Sequence, residues 1–117
     1  MTKHKHDYTG GRTVTKALFF LPVTDGDGRN LEGDIADLLA EVYNDFGGYT
    51  DLGLVGGTYR MADGSKAYDK CRAICVAIGD HHRQSQVLIG HILRFKERTI
   101  QETIYLEVQR DADVRFI

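Results

Sequence analysis

The sequence predicts an α+β fold in which four antiparallel strands and two helices follow one another as β-α-β-β-α-β, with both helices on one face of the sheet. Three observations carry that expectation. Apolar residues recur at helical spacing in two stretches, near residues 31–46 and 81–98; runs rich in β-branched and aromatic residues flank them; and glycine- or aspartate-rich turns separate the elements. A length of 117 residues suits one domain with one sizeable core.

Residues 1 to 12 are polar, contain Gly10-Gly11 and read as a flexible N-terminal arm, which leaves 13–117 as the single domain. Thr13 to Val23 is rich in β-branched and aromatic residues and reads as the first strand, its second half apolar on both faces. Thr24 to Asn30 is a turn-rich loop in which Asn30 or Gly33 can cap the helix that follows. Leu31, Ile35, Leu38, Leu39, Val42, Tyr43 and Phe46 fall on one face of that helix. Gly47-Gly48 stops it, and one of the two is expected to take a positive φ. Glu32, Asp34, Asp37, Glu41 and Asp45 cover much of the remaining surface without one basic residue.

Tyr49 to Met61 reads as a second strand whose Gly53 and Gly56-Gly57 mark a bulge or a close approach of backbone. After the turn Ala62-Asp63-Gly64-Ser65, the run Cys71 to Ile78 forms a third strand. Ile74, Val76 and Ile78 lie on one side of it and Cys71, Ala73, Cys75 and Ala77 on the other. Gly79-Asp80 caps a second helix from His81 to Arg98, with Val87, Leu88, His91, Ile92 and Phe95 on one arc. Glu102 to Gln109 alternates Ile104, Leu106 and Val108 against Thr103, Tyr105 and Glu107, the period of a half-buried fourth strand.

This order of elements places the first and third strands at the sheet centre. The face away from the helices is then unusually apolar. Strand one offers it either Leu18 and Phe20 or the alternate set Ala17, Phe19 and Leu21, and strand three offers Ala73, Cys75 and Ala77. A second copy stacked sheet on sheet is the cheapest cover, so a homodimer through the second sheet face is expected. Cys71 and Cys75, four steps apart in a strand, are separated by about 13 Å, beyond the roughly 7 Å that a disulfide tolerates. They read as buried thiols in a reducing compartment, which together with an N-terminus of no signal-peptide type points to the cytoplasm.

Phe46-Gly-Gly-Tyr-Thr50, followed by Gly57-Thr-Tyr59 and the Asp63-Gly64 turn, resembles a pattern in small bacterial ferredoxin-like proteins of uncharacterised function that look like members of the dimeric α/β-barrel group. The resemblance spans roughly residues 14–110. It implies a ferredoxin-like fold and a dimer, and brings no particular activity with it.

The side chains available for chemistry are few. His91 sits on the apolar arc of the second helix and is either a core histidine with one or two hydrogen bonds or an acid/base or ligand group reaching a pocket beside the sheet. His81 and His82 point about 100° apart on a helix and do not share a metal well. Asp80 before them reads as a helix cap, and His4 and His6 as part of the arm. Asp25-Gly-Asp-Gly opens like a calcium loop, but Arg29 falls where an oxygen ligand is needed, so it reads as a turn and no metal is expected. No phosphate loop or nucleophile elbow is present, and no cofactor is expected. What remains is a polar set on the second sheet face or its edges: Tyr49, Thr50, Tyr59 and Arg60 around strand two, and Tyr105 and Glu107 on strand four. With His91, the residues Tyr49, Tyr59, Arg60, Tyr105 and Glu107 form the candidate ligand-binding set.

A formal charge of −2 gives no global field for a polyanion, and Ala73, Cys75 and Ala77 stand where an RNA-binding sheet needs stacking aromatics, so nucleic acid is not an expected partner. Neither is a membrane, since no apolar run approaches the roughly 20 residues of a spanning helix. Two readings stand. One is a protein that binds or transforms a small molecule in a pocket between the sheet face and a partner. The other is a non-catalytic homodimeric interaction module.

Overall fold

The computed structural model describes residues 12–79, 81–115 and 117. The elements run β1 (Arg12–Pro22), α1 (Glu32–Phe46), β2 (Thr50–Arg60), β3 (Lys66–Ile78), α2 (His81–Arg98) and β4 (Leu106–Val114). The four strands form one antiparallel sheet in the order β2-β3-β1-β4, with β1 and β3 central, as the sequence predicts. The expected arm lies outside the described residues except for Arg12, which opens β1; so do His4, His6 and the expected cap Asp80. No described helix is long and apolar enough to cross a membrane.

The core lies between the sheet and the two helices. Ala17, Phe19 and Leu21 of β1 and Ile74, Val76 and Ile78 of β3 meet Ile35, Leu38, Leu39 and Val42 of α1 and Leu88, Ile92 and Phe95 of α2. Cross-strand pairing matches Phe19 with Ile74 and Ala17 with Val76, so these side chains share the helix face of the sheet. By the same register Leu18 and Phe20 face the other side, which settles the two alternatives the sequence allowed. Tyr43 and Val87, expected on the buried arcs, are exposed: each helix presents only a narrow stripe to the sheet, and these two sit beyond its margins.

Local chemistry sets the ends of α1. The Asn30 side-chain oxygen accepts the Glu32 N–H at 2.7 Å. At the far end Gly47 takes φ 84° and donates its N–H to the Tyr43 carbonyl, the turn that only glycine makes at low cost. Asp25 closes its own loop by accepting the N–H groups of Asp27 and Arg29, which is why this segment is a turn.

Two strand boundaries differ from expectation. β3 begins at Lys66, because pairing with β2 extends the hairpin through polar residues that carry no alternation. β4 begins at Leu106 and runs to Val114; Ile100 at φ 55° turns the chain after α2, and Asp111 at φ 60° lies in the bulge that lets Ala112 and Val114 pair with Val14 and Arg12.

Cys71 is buried on β3, and burial pushes its thiol from 9.0 up to about 11. A group whose pKa is raised by folding supports the fold below its unfolded value and loses that support as pH climbs through the folded value. Urea midpoints should therefore fall between pH 9.0 and about 11, and fall less in Cys71→Ala. Equal declines in both proteins would show that the thiol contributes nothing there.

Candidate functional site

The second sheet face follows directly from the strand register. Crossing the sheet at one level, Gly53 of β2 pairs with Ala73 of β3, and Ala73 pairs with Phe20 of β1. The Phe20 N–H reaches the Tyr105 carbonyl at 3.2 Å, so Tyr105, just before β4, completes the row. The next rows hold Val55, Cys71 and Pro22 on one side and Thr50, Cys75, Leu18 and Glu107 on the other. A strip of small residues thus runs along β2 and β3 beside a rim of aromatic ones.

The rings of Phe20 and Tyr105 stack at 4.7 Å with an interplanar angle of 15°. The Tyr105 hydroxyl donates to Glu107 Oε1 at 2.9 Å. That hydrogen bond is the main reason the phenol is held above its ordinary pKa. Tyr59 projects onto the same face and lies across Gly57, where a Cβ would collide with its ring and hydroxyl. Burial, with the charges of Cys71 and Asp69 nearby, pushes the Tyr59 phenol up as well. Both phenols stay protonated at neutral pH and serve as hydrogen-bond donors. Tyr59 is close enough to add a small push upward to the Tyr105 phenol when ionised.

Of the six residues singled out in the sequence, Tyr59, Tyr105 and Glu107 therefore come together on this face. The other three lie elsewhere. Arg60 alternates with Tyr59 along β2 and projects from the opposite side of the hairpin. Tyr49 lines a groove of about 480 Å³ between α1 and β2, on the helix side of the sheet. His91 is buried between the helices, its Nε2 2.5 Å from Asp45 Oδ2 and its Nδ1 2.5 Å from Arg94 Nη2. The groove encloses volume, but the second face gathers stacked rings, donors and a carboxylate, and that chemistry outweighs volume.

The ligand-binding set read from the sequence leaves out Phe20 and Gly57. Phe20 is one apolar residue in an apolar run, and only the pairing with Ala73 and the stack on Tyr105 give it a role. Gly57 makes room for Tyr59, and the Gly-x-Tyr spacing was the one signal available. Gly57→Ala should leave melting unchanged within about 0.5 kcal/mol, because only the free end of a side chain must move, while the Tyr59 ring shifts. Chemical shifts of the Tyr59 ring check this; an unmoved ring would remove the assigned role of Gly57.

No family model and no curated protein matches the chain. Among solved structures it is similar to a phage SAM lyase in complex with S-methyl-5'-thioadenosine, with a TM-score of 0.59 and 17% identity over 83% of this chain and 81% of that one. It is also similar to a phage SAM lyase in the apo state, with a TM-score of 0.54 and 16% identity over 94% and 86% of the two chains. What the chain shares with these proteins is the ferredoxin-like β-α-β-β-α-β fold.

Proposed function

We propose that the chain binds an adenosine thioether of the S-methyl-5'-thioadenosine class on the second sheet face. The observation that carries this reading is the stacked Phe20–Tyr105 pair standing beside a strip of glycine and alanine, with Glu107 held by Tyr105 at its edge. A flat base gains roughly 1–3 kcal/mol by stacking on an aromatic ring, and small residues allow the close approach that stacking needs. Glu107 keeps a second oxygen for a ribose hydroxyl, or for the sulphonium charge when SAM takes the place of the thioether. Tyr59 donates from the opposite rim. The shared fold with a phage SAM lyase in complex with S-methyl-5'-thioadenosine supports the ligand class.

Isothermal titration calorimetry with S-methyl-5'-thioadenosine should show saturable binding, and Glu107→Gln should weaken it about tenfold through loss of a charge-assisted hydrogen bond. Folded protein that takes up neither S-methyl-5'-thioadenosine nor SAM would overturn the reading. Incubation with SAM reads transformation in the same preparation, through release of S-methyl-5'-thioadenosine.

A homodimer through this face is part of the same proposal. Leu18, Phe20 and Cys75 are only half-buried and Ala77 is exposed, so an apolar strip beside the site is left for a second copy to cover. Sedimentation should show self-association that Leu18→Glu abolishes. A protein that stays monomeric at all concentrations would leave the ligand site open to solvent and remove the second copy from the proposal.

A further inference from the structure

The groove between α1 and β2 lies on the other side of the sheet from Tyr105 and Glu107 and has its own chemistry. Its floor is apolar, formed by Ile35, Ala36, Leu39 and Ala40 along one stripe of α1. Tyr43 and Tyr49, both substantially exposed, stand along it with Asn44. One end is charged. Arg72 rises from β3 and is gripped on both edges: Nε and Nη2 donate to Glu32 at 3.4 and 3.0 Å, and Nη1 donates to Asp51 at 3.1 Å. Asp51 is fixed in turn by the Gly53 N–H at 2.9 Å.

The charge balance decides what this end accepts. Two carboxylates stand against one guanidinium, which leaves one negative charge in excess at the groove. Arg72 has spent its forked edges on those carboxylates and has little left for an anion. Glu32 and Asp51 remain 42% and 38% exposed, so each keeps oxygen surface facing solvent. Tyrosine rings along the walls add attraction for a cation. A volume of about 480 Å³ falls within the range of small-molecule sites.

We infer that this groove is a second ligand site, selective for an organic ammonium ion with an apolar or aromatic body. The body lies on the α1 stripe between Tyr43 and Tyr49, and the ammonium group donates to Glu32 and Asp51 beside Arg72. No acid/base step is involved.

The test is an amide chemical-shift titration of the isotope-labelled full chain with phenethylamine, using hydrocinnamate and phenethyl alcohol as the anionic and neutral counterparts of the same body. Phenethylamine should give saturable shifts at Ala36, Ala40, Tyr43 and Tyr49, with an affinity at least about tenfold above that of hydrocinnamate, since the ionic contact reverses sign. Glu32→Gln should reduce the amine's affinity several-fold. Ala40→Leu, at an exposed floor position, should abolish binding by filling the groove while thermal melting is retained. Equal affinity for amine and carboxylate, or no saturable shift, would overturn the inference. Shifts confined to the second sheet face would do the same. Shifts at these four amides that follow protein concentration in the absence of amine would assign the groove to a second copy and also overturn it.

Discussion

Phe19→Ala should cost the fold about 3–5 kcal/mol, the range for truncating a fully buried phenylalanine, whereas Phe20→Ala, one residue along the same strand, should leave the chain folded and weaken ligand binding. Phe19 is 0% exposed and pairs with Ile74 at the centre of the helix face. Its removal opens a cavity that sheet and helices cannot close without moving. Total stabilities of roughly 5–15 kcal/mol are typical, so such a loss consumes a large part of the margin. Phe20 has a different surrounding. Its ring is half-buried and leans on Tyr105, and Ala73 beneath it is already small. Truncation forfeits one stacking contact and some partial burial, about 1 kcal/mol, but it strips the platform of one of its two rings. Urea unfolding and calorimetry with S-methyl-5'-thioadenosine on the two variants check both halves. Equal destabilisation by the two substitutions would mean that both faces of β1 are core, and the second face would then lose its standing as a site.

That pair of residues also shows how far the sequence can be read. β1 is apolar on both faces, so periodicity predicts a central strand without saying which phenylalanine faces the helices. The answer comes from β3, where Ile74 pairs with Phe19 and Ala73 with Phe20, and such a register cannot be read from one strand alone. Both helices were legible because a one-sided stripe of leucine, isoleucine, valine and phenylalanine has a single reading. The C-terminal part of β4 was not: Arg110, Asp111 and Asp113 have no strand periodicity, and only pairing with the start of β1 holds them extended. The alternation of Tyr105 and Glu107 placed these two on one face. Nothing local marks Arg72 as the centre of an ion pair with Glu32 and Asp51, which are 40 and 21 positions away in the chain.

His91→Ala should lower stability by about 2 kcal/mol and leave ligand binding on the second sheet face unchanged within a factor of two. The imidazole is 8% exposed and lies between the helices. Arg94 has only donors to offer, so Nδ1 accepts from its Nη2 and the ring proton sits on Nε2, which donates to Asp45 Oδ2 at 2.5 Å. Glu41 Oε1 lies 3.1 Å from the same Nδ1, on the side where the arginine donates. Alanine removes the packing of a buried ring, its bond to Asp45 and the acceptor for Arg94. The carboxylate of Asp45 is 43% exposed, so water takes over part of what it loses, which keeps the cost below that of an uncompensated buried charge. A double-mutant cycle with Asp45→Ala separates packing from hydrogen bonding: the two changes should be strongly non-additive, because each removes the same contact. His91→Gln, which keeps a donor and an acceptor, should recover part of the stability. If His91→Ala instead melts at the wild-type temperature and loses affinity for S-methyl-5'-thioadenosine, the histidine serves the ligand rather than the helix pair, and the site must extend from the sheet to the space between α1 and α2.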